Sequence, residues 1–311
     1  MNIKGIQIFF VLFSCLVSFS MLGQKAVERR VITYEGKIGS YPIRLYMEYM
    51  ESNSIYGHYT YKKYPNNEPI GISGTYHKGD LRMGEEVYSF ESKKMINTGL
   101  FTAKDFQNFD VVSGIWTNML TSKQLDFELI AVEKQPSVQY FYTLNTRESD
   151  DSDIQKHYYE FDAIKLYDSN RKFLQEVELP FSYCYKQEEL NTILEDYNFD
   201  GYLDLVVYHR FPFQARRDYG LYLLIYNPVS KKFDYQPQYR EEFGHYVRAD
   251  HLKEVLVVET ADGRGNESKY EYKVIDDNFY LVRYWSQTEF GDSEEISYEV
   301  RDGKSVEINR R

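Results

Sequence analysis

Tyr41-Pro-Ile-Arg-Leu-Tyr-Met-Glu-Tyr49 alternates apolar and polar residues almost without a break. That period of two puts Ile43, Leu45, Met47 and Tyr49 on one face of a β-strand and Arg44, Tyr46 and Glu48 on the other. The same alternation recurs on both sides. It runs through Val31–Gly36, Ile55–Tyr61 and Ile70–Tyr76, with Gly36–Ser40, Pro65-Asn-Asn67 and Lys78-Gly-Asp80 as turn signals. Further strand-like stretches follow at Leu81–Phe90, Thr98–Thr102, Gly114–Trp116 and Phe127–Val132. This spacing predicts an antiparallel meander closing into a small barrel or sandwich.

Composition points the same way. The chain has 31 Tyr and 20 Phe among 311 residues, and such side chains favour pleated surfaces. The second half is also strand-rich, for example at 158–167, 173–179, 221–226, 254–259, 269–274, 279–285 and 295–300. Tight turns at Asp168-Ser-Asn170, Asn227–Lys231, Asp276–Asn278 and Asp302-Gly303 link several of these. The expected fold class is all-β: an N-terminal meander domain over 24–134, then a propeller-like antiparallel domain over 135–311. Glu133–Ser137 reads as the linker, and Ser149–Asp153 as a solvated acidic loop.

Residues 1–23 read as an export signal. Lys4 supplies the positive start, Ile6–Val17 is mostly apolar, and small residues precede Gln24. The run is short for a membrane span, so no stable insertion is expected after cleavage. Cleavage removes one of 37 basic side chains and none of 48 acidic ones, taking the net charge from −11 to −12. That balance disfavours nucleic acid and anionic membranes and favours cations or a basic protein. Only Cys184 remains of the 2 cysteines, so an internal disulfide is excluded in the mature chain. The expected location is periplasmic or secreted.

The second half carries one stretch with chemistry in its spacing: Asp196-Tyr-Asn198-Phe-Asp200-Gly201-Tyr202-Leu-Asp204-Leu205. Oxygen donors stand at alternate positions, a Gly follows the third, and another Asp comes three residues later. A hard divalent cation takes six to eight oxygens in this kind of loop. Asp196, Asn198, Asp200 and Asp204 would supply side-chain oxygens, Tyr202 its carbonyl, and Gly201 the sharp turn. An EF-hand continues to a bidentate Glu at position 12. Val207 stands there instead, within Leu205-Val-Val-Tyr208, so the loop leads into a strand. The expected ion is Ca2+ in a structural role. The competing reading is an Asp/Asn/Gly hairpin turn with no metal.

This loop resembles the calcium-binding, FG-GAP-like repeats of the integrin α-subunit propellers. The resemblance implies a β-hairpin ion site at Asp196, Asn198, Asp200, Tyr202 and Asp204. Those propellers repeat the motif; here it occurs once. The loop together with Tyr226-Asn-Pro-Val-Ser-Lys-Lys-Phe233 also resembles a family of exported bacterial proteins, over roughly residues 155–290. One branch of that family looks like periplasmic immunity proteins that inhibit lysozyme-like effectors of type IV secretion. A binding role toward a basic peptidoglycan hydrolase is what this implies, although no inhibitory residue is matched. Gly57-His-Tyr-Thr-Tyr61 and Gly114-Ile-Trp116 resemble strand-rich modules of exported proteins that imply no definite function.

Catalytic signatures are lacking. The 6 His residues form no His-Glu-x-x-His pair, and no nucleophile elbow, P-loop or dinucleotide glycine pattern occurs. Gly291-Asp-Ser293 lies in a polar turn, and Cys184 in Phe181–Tyr185 reads as packing. The leading expectation is therefore a non-enzymatic calcium-binding envelope protein with a protein partner. The alternative is a glycan-binding or glycan-hydrolysing envelope protein, with Trp116 and Trp285 as exposed stacking candidates.

Overall fold

The structure, a computed structural model, describes residues 23–64, 68–77, 79–89, 93–104, 106, 108–148, 159–184, 191–210, 219–243 and 247–311. The expected export signal before Gly23, the Pro65–Asn67 turn, the acidic loop 149–153 and the Cys184 side chain lie outside the described residues.

Eight consecutive strands form the meander that the alternation predicts. They are β2 (Arg29–Ile38), β3 (Tyr41–Met50), β4 (Ser54–Tyr61), β5 (Ile70–His77), β6 (Asp80–Ser89), β7 (Lys94–Ala103), β8 (Val111–Asn118) and β9 (Gln124–Ala131). Each pairs antiparallel with the next, and β2 pairs with β9, from Tyr34↔Ala131 to Ile38↔Phe127, so the sheet closes into a barrel. Closure removes the edge strands that would otherwise invite association. Ile43, Leu45, Met47 and Tyr49, one alternating face of β3, are all buried. With Tyr34, Tyr59, Phe101 and Phe127 they belong to the main core and fill the barrel, as side chains do in eight-stranded barrels.

Two polar groups are built into this interior. Glu85 of β6 is buried, and its carboxylate accepts from Tyr59 Oη (2.7 Å), Trp116 Nε1 (2.6 Å) and Thr98 Oγ1 (3.1 Å). Trp116 is thereby a lumen residue at 8 % exposure, which corrects its assignment as an exposed stacking platform. Arg30 is also buried. It donates to the carbonyls of Pro136 and Val138 and to Gln139 Oε1, and its guanidinium lies 4.7 Å from the Phe109 ring centroid. These bonds draw the chain after β9 against β2.

Beyond the barrel, β10 (Phe141–Glu148), β11 (Tyr159–Tyr167) and β12 (Phe173–Cys184) form a four-stranded sheet with the short β1 (Lys25–Ala26). Then β13 (Asn191–Glu195), β14 (Asp204–Arg210), β15 (Tyr219–Asn227) and β16 (Lys232–Tyr235) pair antiparallel in order. Strand β13 also pairs parallel with β2, Ile193↔Arg29 and Leu194↔Arg30. The ten-residue β2 is thus shared: its second half closes the barrel and its start carries a strand from residues beyond 190. The helix α1 (Pro237–Phe243) buries Tyr239 and Phe243 in a second core with Val31, Ile193 and Leu223.

A six-stranded meander completes the chain: β17 (Arg248–Asp250), β18 (Val255–Ala261), β19 (Glu267–Ile275), β20 (Asn278–Gln287), β21 (Ser293–Arg301) and β22 (Lys304–Arg310). The protein is all-β, and among the described strands every pairing but β2–β13 is antiparallel. The propeller-like arrangement expected for the second half does not show among the described strands. Hairpin rhythm sets neighbour pairing but not which sheet a hairpin joins, and here β13–β16 extend the barrel sheet. Among the described residues, no helix is long and apolar enough to cross a membrane.

Candidate metal centre

The loop from Asp196 to Leu203 joins β13 to β14. Its turn uses two left-handed residues, Phe199 (φ 62°) and Gly201 (φ 87°). Glycine adopts that conformation freely; Phe does so rarely. Phe199 is held there with its ring 5.6 Å from that of buried His251.

The predicted donors are brought together around this turn. Asp196 accepts from the backbone N–H of Asp200 (3.1 Å) and of Gly201 (2.8 Å). Asn198 Oδ1 also accepts from Asp200 N–H (3.2 Å), and Asp200 Oδ1 accepts from Tyr202 N–H (2.8 Å). Asp204 reaches back across the hairpin. One of its oxygens accepts from Tyr197 N–H (2.9 Å) and the other from Tyr226 N–H of β15 (2.8 Å). Asp196 is 5 % exposed and Asp204 0 %, whereas Asp200 is open to solvent.

Burial dominates the electrostatics. Desolvation pushes the Asp196 carboxyl up to about 7 and Asp204 well above the carboxylate range. Backbone N–H bonds pull both down, the nearby His251 also lowers Asp196, and the charge of Asp200 adds to the rise in both. Among the described residues, no Lys, Arg or His forms an ion pair with Asp196, Asp200 or Asp204. His251 is committed to Glu195 instead (2.9 Å). Lys134 Nζ bonds the Asp200 carbonyl (3.2 Å) and stands 4.1 Å from the Tyr202 ring centroid.

The donor set is all oxygen, the chemistry of a hard cation, and each carboxylate oxygen that accepts one N–H keeps a second lone pair. Among the described residues, no three His, Cys, Asp or Glu side chains converge closely enough to hold a metal as they stand. The donors match Ca2+ in chemical type only; their arrangement here is that of a hydrogen-bonded turn.

Sequence reasoning missed the surroundings of this loop. Glu133, placed in the expected linker, is buried and accepts Thr33 N–H of β2 with both oxygens (2.9 and 3.1 Å). Its neighbour Lys134 donates its backbone N–H to the Gly201 carbonyl (2.8 Å), so the end of the barrel is tied to the loop. On the other side Tyr197 Oη donates to the Val247 carbonyl. Burial lowers the proton affinity of His251, but the bond and charge of Glu195, with Glu133 and Asp196 behind, more than offset it and the net shift is upward. Glu133 and His251 gave no local signal, because their partners lie 100 and 56 residues away.

A pH dependence follows from Asp196. An unfolded aspartate titrates near 3.8, and the folded value is about 7. The protonated form suits the fold, so this contribution is fully present below pH ~4 and is lost as pH rises through 7. In chelator, the stability of the native chain is expected to fall relative to Asp196→Asn between pH 5 and 7.5. Urea unfolding of both proteins measures this, and parallel pH profiles would refute it.

No family model matches this chain, and no curated protein does. Among solved structures it is similar to a Xanthomonas type IV secretion system related protein, with 13 % identity over 55 % of this chain and 89 % of that one, at a TM-score of 0.40. It is also similar to a porin-like protein from Bacteroides uniformis, with 8 % identity over 91 % of this chain and 95 % of that one, at a TM-score of 0.16. At these values neither likeness assigns the chain to a family.

Proposed function

We propose that this chain is an exported, non-enzymatic β protein whose Asp196–Asp204 hairpin takes Ca2+ as a structural ion, and that it acts in the bacterial envelope by binding a basic protein. The observation that supports the ion is the pair of buried carboxylates, Asp196 and Asp204, neither of which forms an ion pair among the described residues; the one cation acting on Asp196, His251, is already paired with Glu195. Burying an unpaired carboxylate costs several kcal/mol unless it is protonated or meets a positive charge. Bound Ca2+ supplies that charge. Asp196, Asn198, Asp200, Asp204 and the Tyr202 carbonyl are the residues to hold it. The backbone N–H groups of Asp200, Gly201, Tyr197 and Tyr226 orient the carboxylates beforehand.

The position of the hairpin gives the ion its consequence. Lys134 links it to the barrel, Tyr226 to β15, and Tyr197 to the segment before β17. An ion here stiffens the junction of all three, which suits a rigid binding scaffold. The net charge of −11 matches a basic partner such as a peptidoglycan hydrolase.

Thermal unfolding with Ca2+ and with chelator tests the first half. At 100 times its Kd, Ca2+ adds about 2.7 kcal/mol. Each kcal/mol is worth roughly 2–4 °C in a domain of this size class. A rise of several degrees, abolished by Asp200→Ala, is expected; an unchanged Tm reduces the hairpin to a turn. The partner half is tested by a lysozyme clearing assay on peptidoglycan. Slower clearing in the presence of the Ca2+-treated protein is expected, and unchanged clearing removes that partner class.

A further inference from the structure

The last meander carries a second candidate site, on its face turned away from the core. Residues alternate faces along a strand. On β19 and β20 the inner set includes Tyr272, whose ring lies 5.0 Å from that of Phe243 in the second core, and Tyr270 and Tyr284, also 5.0 Å apart. Trp285 therefore points outward, and it belongs to neither core cluster. Its cross-strand row reads Glu259↔Lys269↔Trp285↔Glu295, and the next row reads Glu271↔Arg283↔Ser297.

The half-buried indole is thus one aromatic plane set in a field of charges. Those charges hold one another in place. Lys269 meets Glu259 (3.6 Å) and Glu271 (3.7 Å), and Arg283 meets Glu295 (3.0 Å) and Glu271 (3.9 Å). Among the described residues, no cation lies over the ring itself. Trp285 walls two clefts. One, of about 360 Å³, runs against Thr260, Glu267, Ser268 and Lys269; the other, of about 190 Å³, lies between Lys269, Glu271 and Arg283. The larger falls within the size range of small-ligand sites.

We infer that Trp285 and its flanking charges bind a neutral pyranose oligosaccharide. A sugar ring presents C–H groups on its face and hydroxyls round its edge. The indole offers an apolar plane for the first. The Glu259 and Glu295 carboxylates and the Lys269 and Arg283 donors, held by ion pairs with one another and with the buried Glu271, offer acceptors and donors for the second. The carboxylates Glu259, Glu267, Glu271 and Glu295 are offset by Lys269, Arg283, Arg248 on Glu259 (3.0 Å) and Lys253 on Glu271 (3.1 Å), so the patch carries no excess charge to draw an ionic polymer and suits an uncharged one. This site lies outside the Asp196–Asp204 hairpin, and its failure leaves the calcium reading standing.

Fluorescence titration tests it, because the chain has only 2 Trp and the other, Trp116, is sealed in the barrel. Cellotetraose and the N-acetylglucosamine tetramer are the probes. Saturable change in the emission of Trp285 is expected with at least one of them. Trp285→Ala should weaken binding, read by calorimetry, by roughly tenfold or more, as truncation of a central aromatic anchor does. The Trp116 emission and the Tm of that variant should stay native. Two outcomes overturn the inference: no binding of either sugar at millimolar concentration by the folded protein, or undiminished binding by folded Trp285→Ala.

Discussion

Asp204→Ala is expected to cost about 2–4 kcal/mol in chelator, before any ion enters. The wild-type side chain is fully buried and accepts from two backbone donors, Tyr197 N–H and Tyr226 N–H. Each buried donor left without a partner costs about 1–3 kcal/mol. Relief of the buried carboxyl's own desolvation works the other way and keeps the sum below the upper limit. A loss of this size is a large share of a typical 5–15 kcal/mol stability. Asp204→Asn should fall between, because an amide keeps one acceptor oxygen and turns an N–H₂ toward the second donor. Urea unfolding in chelator decides the matter. A loss below roughly 0.5 kcal/mol, the range of an ordinary surface change, would mean that Asp204 does not brace the hairpin. With Ca2+ added, the wild type should gain stability and Asp204→Ala should not, so the same pair of proteins separates bracing from ion binding.

The sequence made some of this legible and hid the rest for physical reasons. Alternation in Tyr41–Tyr49 reported the buried face of β3 correctly, because the signal lies within one strand. Adjacent strands and their turns were equally local. Closure was not. It rests on Tyr34–Ile38 meeting Phe127–Ala131, some 90 residues on, and a barrel and a sandwich present the same local pattern. The parallel seat of β13 on β2 is likewise non-local, and it puts Ile193 and Leu194 beside Arg29 and Arg30 where a propeller blade was expected. Trp116 was misplaced because alternation gives two faces without saying which is the lumen. Its partner Glu85 sits on β6, 31 positions earlier. At the hairpin, the spacing of Asp196, Asn198, Asp200 and Asp204 was readable as a turn, and the structure places them on one, with no three acidic side chains among the described residues converging closely enough to hold a metal. The anchors Glu133, Lys134, Tyr226 and His251 come from elsewhere in the chain.

Gly36→Ala should be among the most damaging single changes in the molecule, and it tests the barrel seam directly. Gly36 lies on β2 where that strand has neighbours on both sides, Ile43 of β3 and Leu129 of β9. A Cβ there would stand 2.0 Å from the Glu128 carbonyl oxygen and 2.9 Å from the Leu129 Cα. Those are backbone atoms inside a closed ladder, so no side chain can swing aside. Relief requires β9 to move away from β2, which opens the pairing from Tyr34 to Ile38. Overpacking typically costs 1–3 kcal/mol where side chains can adjust. With backbone on both sides the expected loss is about 3 kcal/mol or more, with weakened near-ultraviolet dichroism from the Tyr- and Trp-filled lumen. Gly71→Ala is the control. Its nearest obstacle is the Glu86 carbonyl oxygen at 3.8 Å, an ordinary contact, and its effect should stay within about 0.5 kcal/mol. Equal stability of the two variants would mean that β2 and β9 do not close as described. The seam also bears on the hairpin, because Glu133 and Lys134 follow β9 directly and carry its hold on Thr33 and Gly201. A Gly36→Ala protein that still folds should therefore show a smaller gain from Ca2+ than the Gly71→Ala control.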